Sequence, residues 1–240
     1  MATPLGPGPL VYAHRGDRAH AADNTLEAFE LAVANGADGI ELDVQYTRDW
    51  HLVVFHDEHH PRAGIIGELT AAELRSTDAT VPTFAEALGM IGNRCFINVE
   101  IKNSAWAPSF DRRRNLARLV PAAIEEAGVG DQVVVSSFDA VMVAMVRTEA
   151  PELLTAQLLL EPDPHASVGW AADAGHDAVN IPRTWLAEDP TQSVAAVHRL
   201  GLAVGVWTVN DVHEIAAFAA AGADVLITDD PGAARAVLSG

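Results

Sequence analysis

The feature that most limits the fold of this chain is a strict alternation along its length. Eight short apolar runs rich in β-branched residues each precede a longer, often Ala-rich stretch with helical spacing. Strands are expected near residues 10–14, 39–43, 96–101, 132–136, 154–159, 178–181, 203–207 and 225–228. Helices are expected near 25–35, 83–91, 111–127, 139–149, 166–174, 190–200, 211–221 and 231–238. Strands that alternate with helices pair in parallel, and eight such units close a barrel. The expected fold is therefore α/β, a (β/α)8 TIM barrel spanning residues 1–240 as one domain. An open doubly wound sheet is the alternative, weakened because no Gly-rich phosphate loop follows the first strand.

Local signals support this division. Asn24 with Glu27 three residues later resembles a capping pair, and Asp139 and Asp211 stand where further helices start. Gly36, Gly128, Gly175, Gly201 and Gly222 stand where helices end. One stretch, Val44 to Phe55, breaks the alternation with turn-like residues between two β-type flanks, and reads as a short β-hairpin inserted after strand 2. With Asp49 and Trp50 as a two-residue loop, Arg48 would face His51, and Asp43 would lie opposite His56.

Composition narrows the partners. The chain is 49% hydrophobic and 20% charged, as a globular domain should be, with a formal net charge of −18. Such a surface repels nucleic acid and anionic headgroups, so neither nucleic-acid binding nor stable membrane association is expected. Cys95, the single cysteine, excludes an intrachain disulfide and reads as a small core residue. Met1 to Leu10 lacks a basic region followed by an apolar one, and no apolar run approaches the ~20 residues of a bilayer span. A cytoplasmic location is the expectation. Nothing in the sequence fixes an oligomeric state.

The residues that carry chemistry cluster at predicted strand ends. Glu41 and Asp43 are two apart on one strand and so face the same way. Glu100 stands on the next barrel strand, in Phe-Ile-Asn-Val-Glu-Ile-Lys. Three carboxylates converging in a barrel interior repel one another, and a hard divalent cation relieves this. Oxygen-only ligands favour Mg²⁺ or Ca²⁺, with Mn²⁺ a third candidate. A structural ion network with Arg15 and Lys102 is the alternative for any one of them. His14 and His56 flank this cluster, and two imidazoles can supply an acid and a base at neutral pH. Arg15 and Lys102 offer fixed positive charge suited to a phosphodiester.

Taken in order, His14-Arg15-Gly16, Asn24-Thr25, Glu41-Leu42-Asp43-Val44, His56-Asp57 and Glu100-Ile101-Lys102 resemble the glycerophosphodiester phosphodiesterase family. The resemblance continues through Ser136-Ser137-Phe138, Trp207-Thr208-Val209-Asn210 and Ile227-Thr228-Asp229-Asp230-Pro231. It implies the (β/α)8 fold and a divalent metal on Glu41, Asp43 and Glu100. It further implies His14 and His56 as general acid and base, with Arg15 and Lys102 on the phosphate. The substrate would be a small glycerophosphodiester, cleaved to glycerol 3-phosphate and an alcohol. The resemblance also implies a route in which the substrate's own glycerol 2-hydroxyl attacks first, giving a cyclic phosphate that water opens.

The sequence departs from the family in two places. Ala22-Asp23 replaces the usual Pro-Glu before Asn-Thr, and the stretch Glu58-His59-His60-Pro61 diverges, with a short rim up to about Pro82. His59 and His60 read as exposed loop histidines. Trp207 is expected to line the pocket, Trp50 to cap its mouth, and Asp229 and Asp230 to form a turn or cap. Competing readings are a lysophospholipase D or other phosphodiesterase on the same site, and a non-catalytic phosphodiester-binding barrel. An aldolase-type lyase would need a Schiff-base lysine, and Lys102 is the only lysine.

Overall fold

The computed structural model describes residues 4–103, 110–160 and 164–240, with side chains from 167 onward in the last segment. Met1 to Thr3, the start of the stretch read for a leader, lie outside the described residues. The chain runs β1 (Leu10–His14), α1 (Leu26–Ala34), β2 (Gly39–Tyr46), β3 (Leu52–Val54), β4 (His59–His60), β5 (Gly64–Ile65) and α2 (Ala71–Thr77). It continues with α3 (Phe84–Ile91), β6 (Phe96–Ile101), α4 (Leu116–Ala127), β7 (Val133–Ser137), α5 (Ala140–Glu149), β8 (Leu154–Leu158) and α6 (Pro164–Asp173). Last come β9 (Ala178–Pro182), α7 (Arg183–Leu186), α8 (Pro190–His198), β10 (Ala203–Trp207), α9 (Val212–Ala220), β11 (Val225–Thr228) and α10 (Pro231–Ser239).

Eight parallel strands close on themselves in the order β1-β2-β6-β7-β8-β9-β10-β11, with β11 pairing back to β1. All eight expected barrel strands are present. The expected helices are there too, and α2, α7 and the β4–β5 pair were not foreseen. Each is too short for periodicity to show.

Two apolar layers hold the helices to the barrel. One includes Phe29, Leu42, Phe84, Val99 and Met142, and the other Val179, Val204, Phe218 and Leu226. Each fully buried aliphatic or aromatic side chain of this kind contributes about 1.5–3 kcal/mol. The barrel interior is packed separately. Tyr12, Val225 and Ile227 form one inner cluster and Val134, Ala156 and Ala178 another, and Leu5 of the N-terminal segment packs against both. The Tyr12 hydroxyl donates to the Pro4 carbonyl at 2.6 Å. The N-terminal segment thus closes the floor beneath the strands' N-terminal ends.

Two local expectations are corrected. Helix α1 is capped by Thr25, whose hydroxyl accepts from the Ala28 N–H at 3.2 Å, whereas Asn24 lies outside the helix in the left-handed region. The hairpin exists, but its register differs by one residue: Val44 pairs with Val54 and Tyr46 with Leu52. Its loop has three residues, Arg48 to Trp50, with Trp50 at φ 64°. A two-residue turn of the favoured type needs positive φ at both central positions, which Asp49-Trp50 supplies poorly; a third residue lets one position carry it. Phe55, not His56, therefore bonds to Asp43, its N–H donating to the Asp43 carbonyl at 3.0 Å.

Gly39 is a tight point of the floor, because a Cβ there would stand 2.5 Å from the Tyr12 ring. Gly39→Ala is expected to destabilise the fold by about 1–3 kcal/mol through overpacking, read from urea unfolding midpoints. An unchanged midpoint would show that the Tyr12 ring moves aside freely.

Candidate active site

Strand register brings the chemical residues together at the C-terminal mouth of the barrel. His14 pairs with Glu41 across β1–β2, and Asp43 with Glu100 across β2–β6. Glu41 and Asp43 share the inner face of β2 and are 4% and 0% exposed; Glu100 is 8% exposed. One carboxylate oxygen from each lies within 4.8 Å of the others.

Cations and dipoles answer this concentration of negative charge. The Lys102 ammonium, just past β6, pairs with Asp43 at 2.8 Å and hydrogen-bonds Glu100. The Arg15 guanidinium reaches Asp43 at 3.2 Å through Nε and Asp23 at 3.1 Å through a terminal nitrogen. Asp23, shorter than the family's usual Glu, therefore still holds Arg15. The Arg15 N–H donates to Glu41 Oε2 at 3.0 Å, and the Asn24 amide donates to Asp43 at 2.7 Å. Both Arg15 and Asn24 sit at positive φ, 59° and 55°, a conformation costly for such residues and found where a site over-determines it. Gly16 makes the turn fit, since a Cβ there would meet Ala28 at 2.7 Å.

The charges are unequally compensated. Burial, then repulsion from Asp43 and Glu100, pushes the Glu41 carboxyl well above the usual range. Burial also raises Glu100, although Lys102 opposes it. Asp43 feels the same burial, but Lys102 and Arg15 outweigh it and bring it to about 2. Glu41 Oε1 is buried and has no hydrogen-bond partner. An orphaned carboxylate oxygen in an oxygen-only donor set is what a hard divalent cation takes up, so the residues present fit one.

The two histidines flank this cluster from different elements. His14 ends β1, with Nδ1 2.7 Å from Asp229 Oδ1 and Nε2 4.0 Å from Glu41 Oε2. His56 follows β3, with Nδ1 2.6 Å from Asp57 Oδ1. Its backbone is clamped by Gln45, whose amide donates to the carbonyls of Phe55, His56 and Asp57 at 2.8, 3.2 and 2.9 Å. Burial pulls the His56 imidazole below its ordinary value; Lys102 and Arg15 add to this and Asp43 opposes it.

A cavity of about 160 Å³ opens between them, lined by His14, Arg15, Glu41, His56, Glu100 and Lys102 on its polar side. Phe138, Leu158, Trp207 and Ile227 supply an apolar wall, where Trp207 meets Phe138 edge-on at 5.7 Å. All eight residues read as site residues from the sequence thus converge, Asp43 directly behind the lining. Trp50 does not join them. It stacks on Tyr46 at 4.8 Å, on the face of β2 opposite Asp43, and stays 52% exposed. His59 is exposed as expected, but His60 is buried: its Nδ1 accepts from the Arg62 and Ala63 N–H groups, and Nε2 faces Asp78. It staples the divergent rim. Asp230 caps α10, accepting from the Ala233 N–H at 2.8 Å. Asp229 does not cap; it backs His14, a contact across 215 positions that only its place after the last barrel strand could have signalled.

Residues 14–233 match the sequence model of the glycerophosphoryl diester phosphodiesterase family. The chain belongs to that family. It is 32% identical to a glycerophosphodiester phosphodiesterase of Caldanaerobacter subterraneus, over 92% of this chain and 94% of the relative. An enzyme of the same designation from Bacillus altitudinis is also 32% identical, with the same coverage of both chains. The crystal structure of a glycerophosphodiester phosphodiesterase from Parabacteroides distasonis superposes with a TM-score of 0.84 at 26% identity, covering 96% of this chain and 97% of that one. The protein is accordingly a phosphoric diester hydrolase of the glycerophosphodiester phosphodiesterase type on a TIM barrel. Among the described residues no helix is long and apolar enough to cross a membrane.

The raised Glu41 carboxyl has a consequence for stability. A carboxyl whose folded-state pKa is raised favours folding while protonated, and that stability is lost as pH rises through the folded-state value. Glu41→Gln is therefore expected to be more stable than the unsubstituted chain in EDTA at pH 7, and the gain to vanish toward pH 4. Urea unfolding at the two pH values checks this; a Gln variant less stable at pH 7 would mean that ionised Glu41 is well compensated without metal.

Proposed function

We propose that the whole chain acts as one catalytic unit, hydrolysing glycerophosphodiesters to glycerol 3-phosphate and an alcohol. His14 and His56 form its acid–base pair. The observation that carries this reading is the pair of imidazoles, each with Nδ1 on a carboxylate, lining one cavity beside the buried triad. Glu41, Asp43 and Glu100 would hold a divalent cation, Mg²⁺ or Ca²⁺ by their hard oxygen donors, with Mn²⁺ a further candidate. When bound, the ion supplies Lewis-acid stabilisation of charge on the phosphoryl oxygens.

The chain's own residues then divide the work. Arg15 and Lys102 meet the phosphodiester, and their charge opposes the negative charge that grows on it during reaction. Trp207 and Phe138 pack against the glycerol carbons and keep water from that side. His56, kept neutral by burial, takes the proton of the glycerol 2-hydroxyl as that oxygen attacks phosphorus. His14 gives a proton to the departing alkoxide. A cyclic phosphate results, and the two histidines exchange roles when water opens it.

Release of glycerol 3-phosphate from glycerophosphocholine and glycerophosphoethanolamine, in EDTA and then with Mg²⁺, Ca²⁺ or Mn²⁺ restored, tests the reading. Activity is expected only with metal, and His14→Ala or His56→Ala is expected to lower kcat by about 10²–10⁴-fold. A diester lacking the neighbouring hydroxyl is expected to resist cleavage; hydrolysis at an undiminished rate would remove the cyclic route. No turnover of either compound by the folded protein would turn the search to lysophospholipids, and failure there would favour the binding barrel.

A further inference from the structure

The two histidines are held differently, and the difference assigns work to residues outside the cavity lining. Asp57, the partner of His56, is its sequence neighbour, and its side chain is 71% exposed. Asp229, the partner of His14, comes from the opposite end of the chain and is itself braced. The Asn210 amide donates to Asp229 Oδ2 at 2.7 Å, while Asn210 Oδ1 accepts from the Asp229 N–H at 2.9 Å and from the Thr228 hydroxyl at 3.1 Å. Asn210 therefore grips Asp229 at both its backbone and its carboxylate. Asp229 in turn presents Oδ1 to His14 Nδ1 at 2.7 Å, and the Arg18 guanidinium stands 3.7 Å from the same oxygen. Burial works against the ionised Asp229 carboxyl, but its hydrogen bonds from His14 and Asn210 prevail and lower it, so it remains an acceptor at neutral pH.

We propose that Asp229, braced by Asn210, is a positioning residue that fixes the ring orientation and tautomer of His14 for the reaction proposed above. A carboxylate is an acceptor only and stands 2.7 Å from Nδ1, whereas the donor-only Arg18 guanidinium is 3.5 Å from the same nitrogen, so the shorter contact calls for a hydrogen on Nδ1. Nδ1–H is thereby fixed, and proton exchange is confined to Nε2, the nitrogen on the Glu41 side of the ring. The ring also cannot turn over without breaking the contact. Fixing an imidazole through its second nitrogen in this way is how carboxylates support a reacting histidine in hydrolases on unrelated folds. The asymmetry further implies that His14 keeps one orientation throughout a turnover, whereas His56 depends on the Gln45 clamp of its backbone.

The test uses the full chain loaded with Mg²⁺. Asp229→Asn replaces an acceptor-only group by an amide that can also donate, so the tautomer is no longer dictated. Its kcat on glycerophosphocholine is expected to fall about 100-fold, with KM and the affinity for sn-glycerol 3-phosphate unchanged. In ¹⁵N NMR of histidine-labelled protein, at a pH high enough to leave the ring neutral, the His14 signal, identified by its loss in His14→Ala, is expected to report Nδ1–H in the unsubstituted chain and a tautomer mixture in Asp229→Asn. An unchanged kcat, a loss that follows weakened product binding, or an Nε2–H tautomer in the unsubstituted chain would each overturn the proposal. Should Asp229→Asn fail to fold, Asn210→Ala, which keeps the carboxylate but frees it, is expected to show a smaller loss of the same kind, and an unchanged kcat there overturns it equally. If the unsubstituted chain turns over no phosphodiester, the reaction assignment fails by itself, and the tautomer measurement still decides whether Asp229 positions His14.

Discussion

Three carboxylates in one barrel mouth, with one oxygen of each within 4.8 Å of the others, are the constraint around which the site is organised. Left alone they would repel one another and favour either protonation or disruption of the strand ends that carry them. Each neighbouring feature answers that repulsion. Lys102 bridges two of the three, Arg15 and Asn24 secure Asp43, and the N–H of Arg15 turns back to Glu41. Arg15, just past β1, and Asn24, just before the cap of α1, both hold positive φ while they make these contacts. Strain at the top of the barrel is sustained by dense packing elsewhere, including the contact of Gly16 with Ala28.

The compensation is uneven, and the unevenness carries chemical meaning. Asp43 is surrounded by cations and stays ionised; Glu41 is left with an oxygen that nothing in the protein satisfies. A fully satisfied network would be a structural ion cluster, the reading that stood against metal binding from the sequence alone. One acceptor left open beside two further carboxylates fits a ligand set for a hard cation. The substrate side follows the same economy. Polar groups line one wall and four apolar residues the other, which suits a molecule with an anionic centre and a short carbon backbone.

Much of this was legible in the sequence, because it depends on periodicity and strand ends. The eight barrel strands could be placed since a buried parallel strand writes a short continuous apolar run. Once the strands stood, residues 14, 41, 43, 100 and 207 had to meet at one mouth. What escaped depends on side-chain geometry or on very short elements. The hairpin register turned on whether Trp50 would adopt positive φ, and one residue of loop set Phe55 rather than His56 opposite Asp43. His60 looked like a solvated loop residue, yet an imidazole can accept two backbone N–H groups and become a staple. Asp229 lay beside an equally plausible capping residue, and only the closure of β11 onto β1 shows which of the two aspartates caps and which reaches inward.

The floor of the barrel has a consequence for traffic. With Tyr12 tied to Pro4, Leu5 packed into both inner clusters and Gly39 pressed against the Tyr12 ring, the described residues leave no second way through the core. Among the described residues, the chamber opens at the mouth. Whatever enters to react must depart by the route it came, so a product still in place blocks the next arrival. In the hydrolysis proposed above, the phosphorylated glycerol has to clear that mouth before another diester can take its place.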